Sequence, residues 1–155
     1  MVNKFKSFQD IYPYTSNYLE LSHHKYHYLD EGEGEILLYL HGNPTWSFYY
    51  RNLIKEFKRS YRCVAPDHMG CGLSDKPQNY NYTLSTHIEN LEKLVKFLNL
   101  KDITLVMHDW GGAIGMGFAS RNPKSVKQLI IFNSAAFLPT QIPFRIELCR
   151  TPLIG

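Results

Sequence analysis

Ile103-Thr104-Leu105-Val106-Met107-His108-Asp109-Trp110-Gly111-Gly112 runs from an apolar stretch into a pair of glycines through one acidic residue. The apolar part reads as a strand buried on both faces, and the glycine-rich part opens a helix. A strand that turns this sharply into a helix needs small residues just past the bend, and Gly111 and Gly112 supply them. The apex residue is then forced out of the sheet above a helix N-terminus. Here that residue is Asp109, where most chains with this turn carry Ser.

Outward from this turn the chain alternates strand and helix. Tyr18–Leu21 and Tyr26–Leu29 read as short strands around a polar turn, and Ile36–Leu40 as a strand buried on both faces. A helix follows, with Trp46, Tyr49, Tyr50, Leu53, Ile54 and Phe57 on one face, an aromatic stripe expected in the core. Tyr61–Ala65 is the next strand. A second amphipathic helix has Leu84, Ile88, Leu91, Val95 and Leu98 inside, with Thr83 or Thr86 as its N-cap. Its wet side is expected to pair Glu89 with Lys93 and Glu92 with Lys96. The helix after Asp109 stops at Asn122-Pro123, and Val126–Phe132 is the last strand. The pattern predicts an α/β fold with a mostly parallel, doubly wound sheet. Residues 1–134 read as the N-terminal half of one core domain, and residues 135–155 as the start of a further region cut short. Leu129-Ile130-Ile131-Phe132 is left as an apolar sheet edge, through which chains are expected to associate.

Composition narrows the function classes. Hydrophobic residues make up 44% of the 155 and charged residues 20%, as in an ordinary globular domain. The net charge of +3 is spread along the chain, which argues against nucleic acid as a partner. Cys63, Cys71 and Cys149 are an odd set without scaffold spacing and fit a reduced, cytoplasmic protein. No stretch approaches the length of a membrane span.

An Asp at a strand–helix junction is, taken alone, more often a helix cap than a nucleophile. Its neighbours shift that balance. His41-Gly42-Asn43-Pro44 closes the Ile36–Leu40 strand, so it lies at the same carboxyl-end rim where open α/β sheets bind ligands. The backbone N–H groups of Asn43 and Trp110 would form an oxyanion hole, and the Asn43 amide and Trp110 indole would add two neutral donors for a leaving anion. The competing readings are a turn former for Asn43 and a core aromatic for Trp110.

Together, His41-Gly42-Asn43-Pro44-Thr45, the loop Pro66-Asp67-His68-Met69-Gly70-Cys71-Gly72-Leu73-Ser74-Asp75-Lys76-Pro77 and His108-Asp109-Trp110-Gly111-Gly112 resemble the haloalkane dehalogenase-like branch of the α/β-hydrolase superfamily. The resemblance implies an enzyme with an α/β-hydrolase fold and Asp109 as nucleophile. It makes Asn43 and Trp110 the leaving-group pair, with His41, Gly42, Pro44, Gly111, Gly112 and Asp67 structural near the site. It implies carbon–halogen hydrolysis through an alkyl-enzyme ester on a small hydrophobic substrate, without cofactor or metal. Asn43-Pro44-Thr45-Trp46-Ser47-Phe48-Tyr49-Tyr50-Arg51 and Asp67-His68-Met69-Gly70-Cys71-Gly72 look especially like the β-lactone decarboxylases of bacterial long-chain olefin synthesis. Epoxide hydrolases, the third alternative, usually carry an aromatic at the Asn43 position. The family's catalytic His and its acid come from a second half beyond a cap region. All seven histidines here lie at or before His108, which should face away from the pocket. On this reading the chain begins the reaction and cannot turn it over, and an inactive fragment or non-enzymatic remnant stays open.

Two other patterns carry less. Gly111-Gly112-Ala113-Ile114-Gly115-Met116-Gly117 lacks the order of a dinucleotide fingerprint, and Gly115 and Gly117 are expected to allow close helix–sheet packing. His23 and His27 would share a strand face, but no carboxylate or Cys joins them at ligand spacing, so no metal is expected.

Overall fold

The computed structural model describes residues 7–134. Its six strands are β1 (Asn17–Leu21), β2 (His24–Glu31), β3 (Glu35–Leu40), β4 (Tyr61–Pro66), β5 (Ile103–His108) and β6 (Val126–Phe132). They form one sheet in the order β1-β2-β4-β3-β5-β6. β1 and β2 are antiparallel, β2 meets β4 antiparallel, and β4, β3, β5 and β6 run parallel. The mostly parallel sheet expected from the sequence is therefore present. The further region expected over residues 135–155 lies outside the described residues.

Helices cover the two faces unequally. α2 (Arg51–Phe57) packs Ile54 against Leu37, Tyr39, Cys63, Ala65 and Val106 on one face. α3 (Leu84–Phe97) and α4 (Trp110–Arg121) bury Leu91, Leu94, Ile114 and Phe118 against Leu38, Leu40, Val64, Leu105 and Met107 on the other. Burying one such Leu or Ile contributes about 1.5–3 kcal/mol. The chain leaves β3 toward one face and β5 toward the other, although the two strands are neighbours. That divergence opens a crevice at their carboxyl ends, where Leu40 pairs with Met107.

The structure corrects several local expectations. A 3-10 turn (Ser47–Tyr50) precedes α2, so the aromatic stripe is not one continuous helix face. Tyr50 and Ile54 are buried, but Tyr49, Leu53 and Phe57 are 48%, 37% and 41% exposed. The reason is the sheet face beside them: Leu53 and Phe57 line an open groove with Leu37, Tyr39, Val106, Ile130 and Phe132, which nothing among the described residues covers. On α3, Thr83 caps the helix by accepting from the Thr86 N–H. The expected Glu–Lys ladder gives way to other partners: Glu92 lies 3.7 Å from Arg121 of α4 and accepts from Asn122, while Glu89 accepts from Ser85 within α3. The neighbouring helix offers partners held by packing, which free Lys side chains cannot match. Gly115 does sit against Met107 and Leu40 of the sheet, but Gly117 faces Ile88, so its packing is helix to helix. His23 lies in the β1–β2 turn at positive φ and is almost fully exposed, whereas His27 is buried, so the two share no face. A short helix, α1 (Phe8–Ile11), carries a Ser7/Asp10 capping box that the sequence reading missed.

Candidate active site

Asp109 has φ 52° and ψ −126°, a conformation that costs an L residue roughly 1–3 kcal/mol. The turn can be this tight because Gly111 lies directly beneath β3: a Cβ there would come within 2.7 Å of the His41 carbonyl oxygen and closer still to that of Leu40. Asp109 occupies the N-cap position of α4, yet its side chain makes no capping hydrogen bond. The Asp109 side chain therefore does not cap α4. The Asp109 Oδ1 accepts instead from the backbone N–H of Asn43, at 2.9 Å across 66 residues of sequence. Gly42 makes room for this contact, since a Cβ there would lie 2.7 Å from the Asp109 Cγ.

Asn43 and Trp110 are both exposed and line a cleft of about 450 Å³ with His41, Gly42, His68 and Tyr82. Asp109 itself is exposed but not among the lining residues, its carboxylate being turned onto the Gly42–Asn43 backbone. Pro44 follows Asn43 through a cis peptide. Gly112 closes the elbow by donating its N–H to the Asp109 carbonyl, which also accepts from the Ser134 hydroxyl. His108 stacks on Tyr49 with ring centroids 4.6 Å apart and takes no part in the cleft.

Asp67 is fully buried and ties three segments together. It accepts from the backbone N–H groups of Ser47 and Leu73, and its Oδ2 lies 2.9 Å from His27 Nδ1. Burial pushes its carboxyl up, but His27 and these N–H donors outweigh burial and hold it below the usual carboxylate range. Asp67 thus stands beneath the loops rather than in the cleft.

Three histidines surround the cleft floor. The His41 and His68 rings are 4.3 Å apart, and those of His68 and His87 5.8 Å apart. Burial lowers all three below the ordinary imidazole range, His68 furthest, so they are neutral near pH 7. The sequence reading had singled out His41 but not His68 or His87. His68 follows Asp67 at the carboxyl end of β4, a position that marks the rim of such a sheet. His87 gave no sequence signal beyond its place in α3. Among the described residues no group of three or more His, Cys, Asp or Glu could hold a metal ion, and no helix is long and apolar enough to cross a membrane.

Residues 35–147 match the family model described as alpha/beta hydrolase fold. The chain is 50% identical over 149 residues to a cis-3-alkyl-4-alkyloxetan-2-one decarboxylase of Shewanella oneidensis, covering 92% of this chain and 47% of that protein. It is 38% identical over 124 residues to haloalkane dehalogenase 2 of Mycobacterium bovis, covering 80% of this chain and 43% of that one. The haloalkane dehalogenase DatA from Agrobacterium tumefaciens superposes with a TM-score of 0.79 at 29% identity, covering 91% of this chain and 50% of the other. The chain thus spans about half the length of the curated relatives it matches. By its sheet order, its elbow and this match, the chain belongs to the α/β-hydrolase fold family.

Proposed function

We propose that Asp109 is a nucleophile that attacks an sp³ carbon bearing an anionic leaving group, with Asn43 and Trp110 receiving that anion. One observation carries this reading: the Asp109 carboxylate ignores the helix N-terminus it stands on and is held through one oxygen by the Asn43 N–H. Oδ1 is then fixed and Oδ2 is left to attack.

A β-lactone is the first substrate class, because the decarboxylase relative is the more similar of the two kinds at 50% identity against 38%. Asp109 Oδ2 bonds to the ring carbon that carries the ring oxygen, and that C–O bond breaks to leave a free carboxylate. The carboxylate then loses CO₂. The electron pair of the broken C–C bond forms the alkene and expels Asp109 as carboxylate. Charge and atoms balance without water, and the nucleophile is regenerated. The neutral histidines of the cleft floor favour CO₂ loss, since they offer a carboxylate no counter-charge.

A haloalkane is the second class, favoured by the paired neutral donors Asn43 and Trp110 and by the dehalogenase relatives. Halide leaves, and the alkyl ester then needs an activated water. His41 cannot supply it, because both its ring nitrogens are engaged. The odd cysteines, of which Cys63 and Cys71 are free, fit a cytoplasmic setting.

The test uses the 155-residue chain and its Asp109→Asn variant. A long-chain cis-β-lactone should yield alkene and CO₂ with the parent only. A chloroalkane should add one alkyl group, seen by intact mass, again with the parent only. A folded sample that gives neither product nor adduct refutes the nucleophile.

A further inference from the structure

Three hydrogen bonds run in series toward the nucleophile. The backbone N–H of His68 donates to His41 Nε2 at 2.8 Å. His41 Nδ1 lies 2.7 Å from the Gly42 carbonyl oxygen. The Asn43 N–H donates to Asp109 Oδ1 at 2.9 Å. A backbone N–H can only donate, so Nε2 is the accepting nitrogen and the ring proton sits on Nδ1, pointing at Gly42. The Gly42 carbonyl and the Asn43 N–H are opposite ends of one planar peptide unit. Whatever fixes the carbonyl therefore fixes the direction of the N–H. His41 is 1% exposed, with its ring packed on that of His68, so the imidazole has little freedom to turn.

We infer that His41 is a positioning residue: strung between the His68 backbone and the Gly42 carbonyl, it locks the Gly42–Asn43 peptide plane so that its N–H grips Asp109 Oδ1 and frees Oδ2. The inference rests on Asp109 being the nucleophile. It joins the loop after β4 to the loop after β3 through one side chain, and it gives the His of His41-Gly42 a task in the reaction other than proton transfer. It also sets a chemical requirement. The residue must donate from the δ position, and accepting at the ε position only anchors it.

Two substitutions separate these roles. His41→Asn keeps a donor near the δ position and loses the acceptor for His68. His41→Gln places its amide at the ε position and loses the donor to Gly42. Alkylation of Asp109 by a chloroalkane, followed by intact mass against concentration, gives the maximal rate and the half-saturating concentration. His41→Gln should lower the maximal rate about tenfold, the usual consequence of losing one positioning hydrogen bond, with half-saturation unchanged. His41→Asn should lower it by about threefold or less. Equal losses in the two variants, tracking their melting temperatures, would overturn the inference in favour of a merely structural His.

Nitrogen NMR of the His41 ring should show the Nδ1–H tautomer, and the Asn43 amide proton should move upfield in both Asp109→Asn and His41→Gln. An Nε2–H ring, or an Asn43 amide indifferent to His41→Gln, would also overturn it. If the parent chain is not alkylated and forms no alkene, the nucleophile reading fails. The NMR arm then still decides whether His41 sets the Asn43 N–H.

Discussion

Gly42→Ala should disable the site while leaving the fold in place. Gly42 has no positive φ, so its backbone tolerates alanine, and the whole cost comes from collision. The added methyl would lie 2.7 Å from the Asp109 Cγ and nearer to its Cβ and Oδ1. Carbon atoms in contact sit about 3.5–4.0 Å apart, so the carboxylate must retreat by roughly 1 Å. Asp109 Cβ is fixed to the elbow backbone, and rotating the side chain cannot relieve the overlap. Overpacking of this kind costs about 1–3 kcal/mol, or roughly 3–10 °C in melting temperature for a chain of this size. The same displacement breaks the 2.9 Å bond from Asn43 and should slow nucleophilic attack about 100-fold. Thermal melting and the rate of Asp109 alkylation by intact mass measure the two effects separately. A variant that melts lower yet alkylates at the parent rate would refute the argument that Gly42 exists to admit the carboxylate.

Three further outcomes follow from the same geometry. Asp109→Gly removes the strain at φ 52° and should raise stability by about 1–2 kcal/mol while abolishing the adduct; a lower melting temperature would show that the elbow is not strained. Stability should fall as pH drops below about 6.5, because His41, His68 and His87 are lowered in the fold and the unfolded chain takes up protons that the native one refuses. Asp67, held below its ordinary 3.8, adds a second loss below about pH 4, and melts from pH 8 to 3 should show His68→Phe flattening the first drop and Asp67→Asn the second. The apolar β6, with Leu129, Ile130, Ile131 and Phe132 at 40–52% exposure, should drive concentration-dependent association. Light scattering should show Ile131→Lys reducing it, and a monodisperse parent would contradict the prediction.

Much of the architecture was legible because it is written in short-range chemistry. Apolar runs such as Leu37–Leu40 and Thr104–Met107 can be satisfied only between two covering layers, and Asp109-Trp110-Gly111-Gly112 admits few turns. What the sequence left hidden depends on neighbours distant along the chain. The partner of Glu92 was settled by α4, not by the Lys four residues on. The exposure of Leu53 and Phe57 reflects a sheet face whose cover is not set by their own helix. Within the site, the placing of Asn43 and Asp109 on one rim was readable from two strand ends, but the carboxylate's partner, the Asn43 N–H rather than the helix N-terminus, was not. His68 and His87 escaped notice because a buried histidine leaves no periodic signature.

The bond from Asn43 to Asp109 joins residues 66 positions apart, just past the ends of β3 and β5, which α2, β4 and α3 separate in the chain. Neither partner can find the other until β3 and β5 are zipped in register. A slip of one residue along that ladder would carry the amide about 3.3 Å from the carboxylate and invert every side chain on the strand. On the proposed function, chemical labelling of Asp109 would be a clock for tertiary assembly. Its onset during refolding should follow the non-local closure of the sheet rather than the earlier appearance of helix, and a pulse of electrophile would time the moment at which the carboxylate meets the Asn43 N–H.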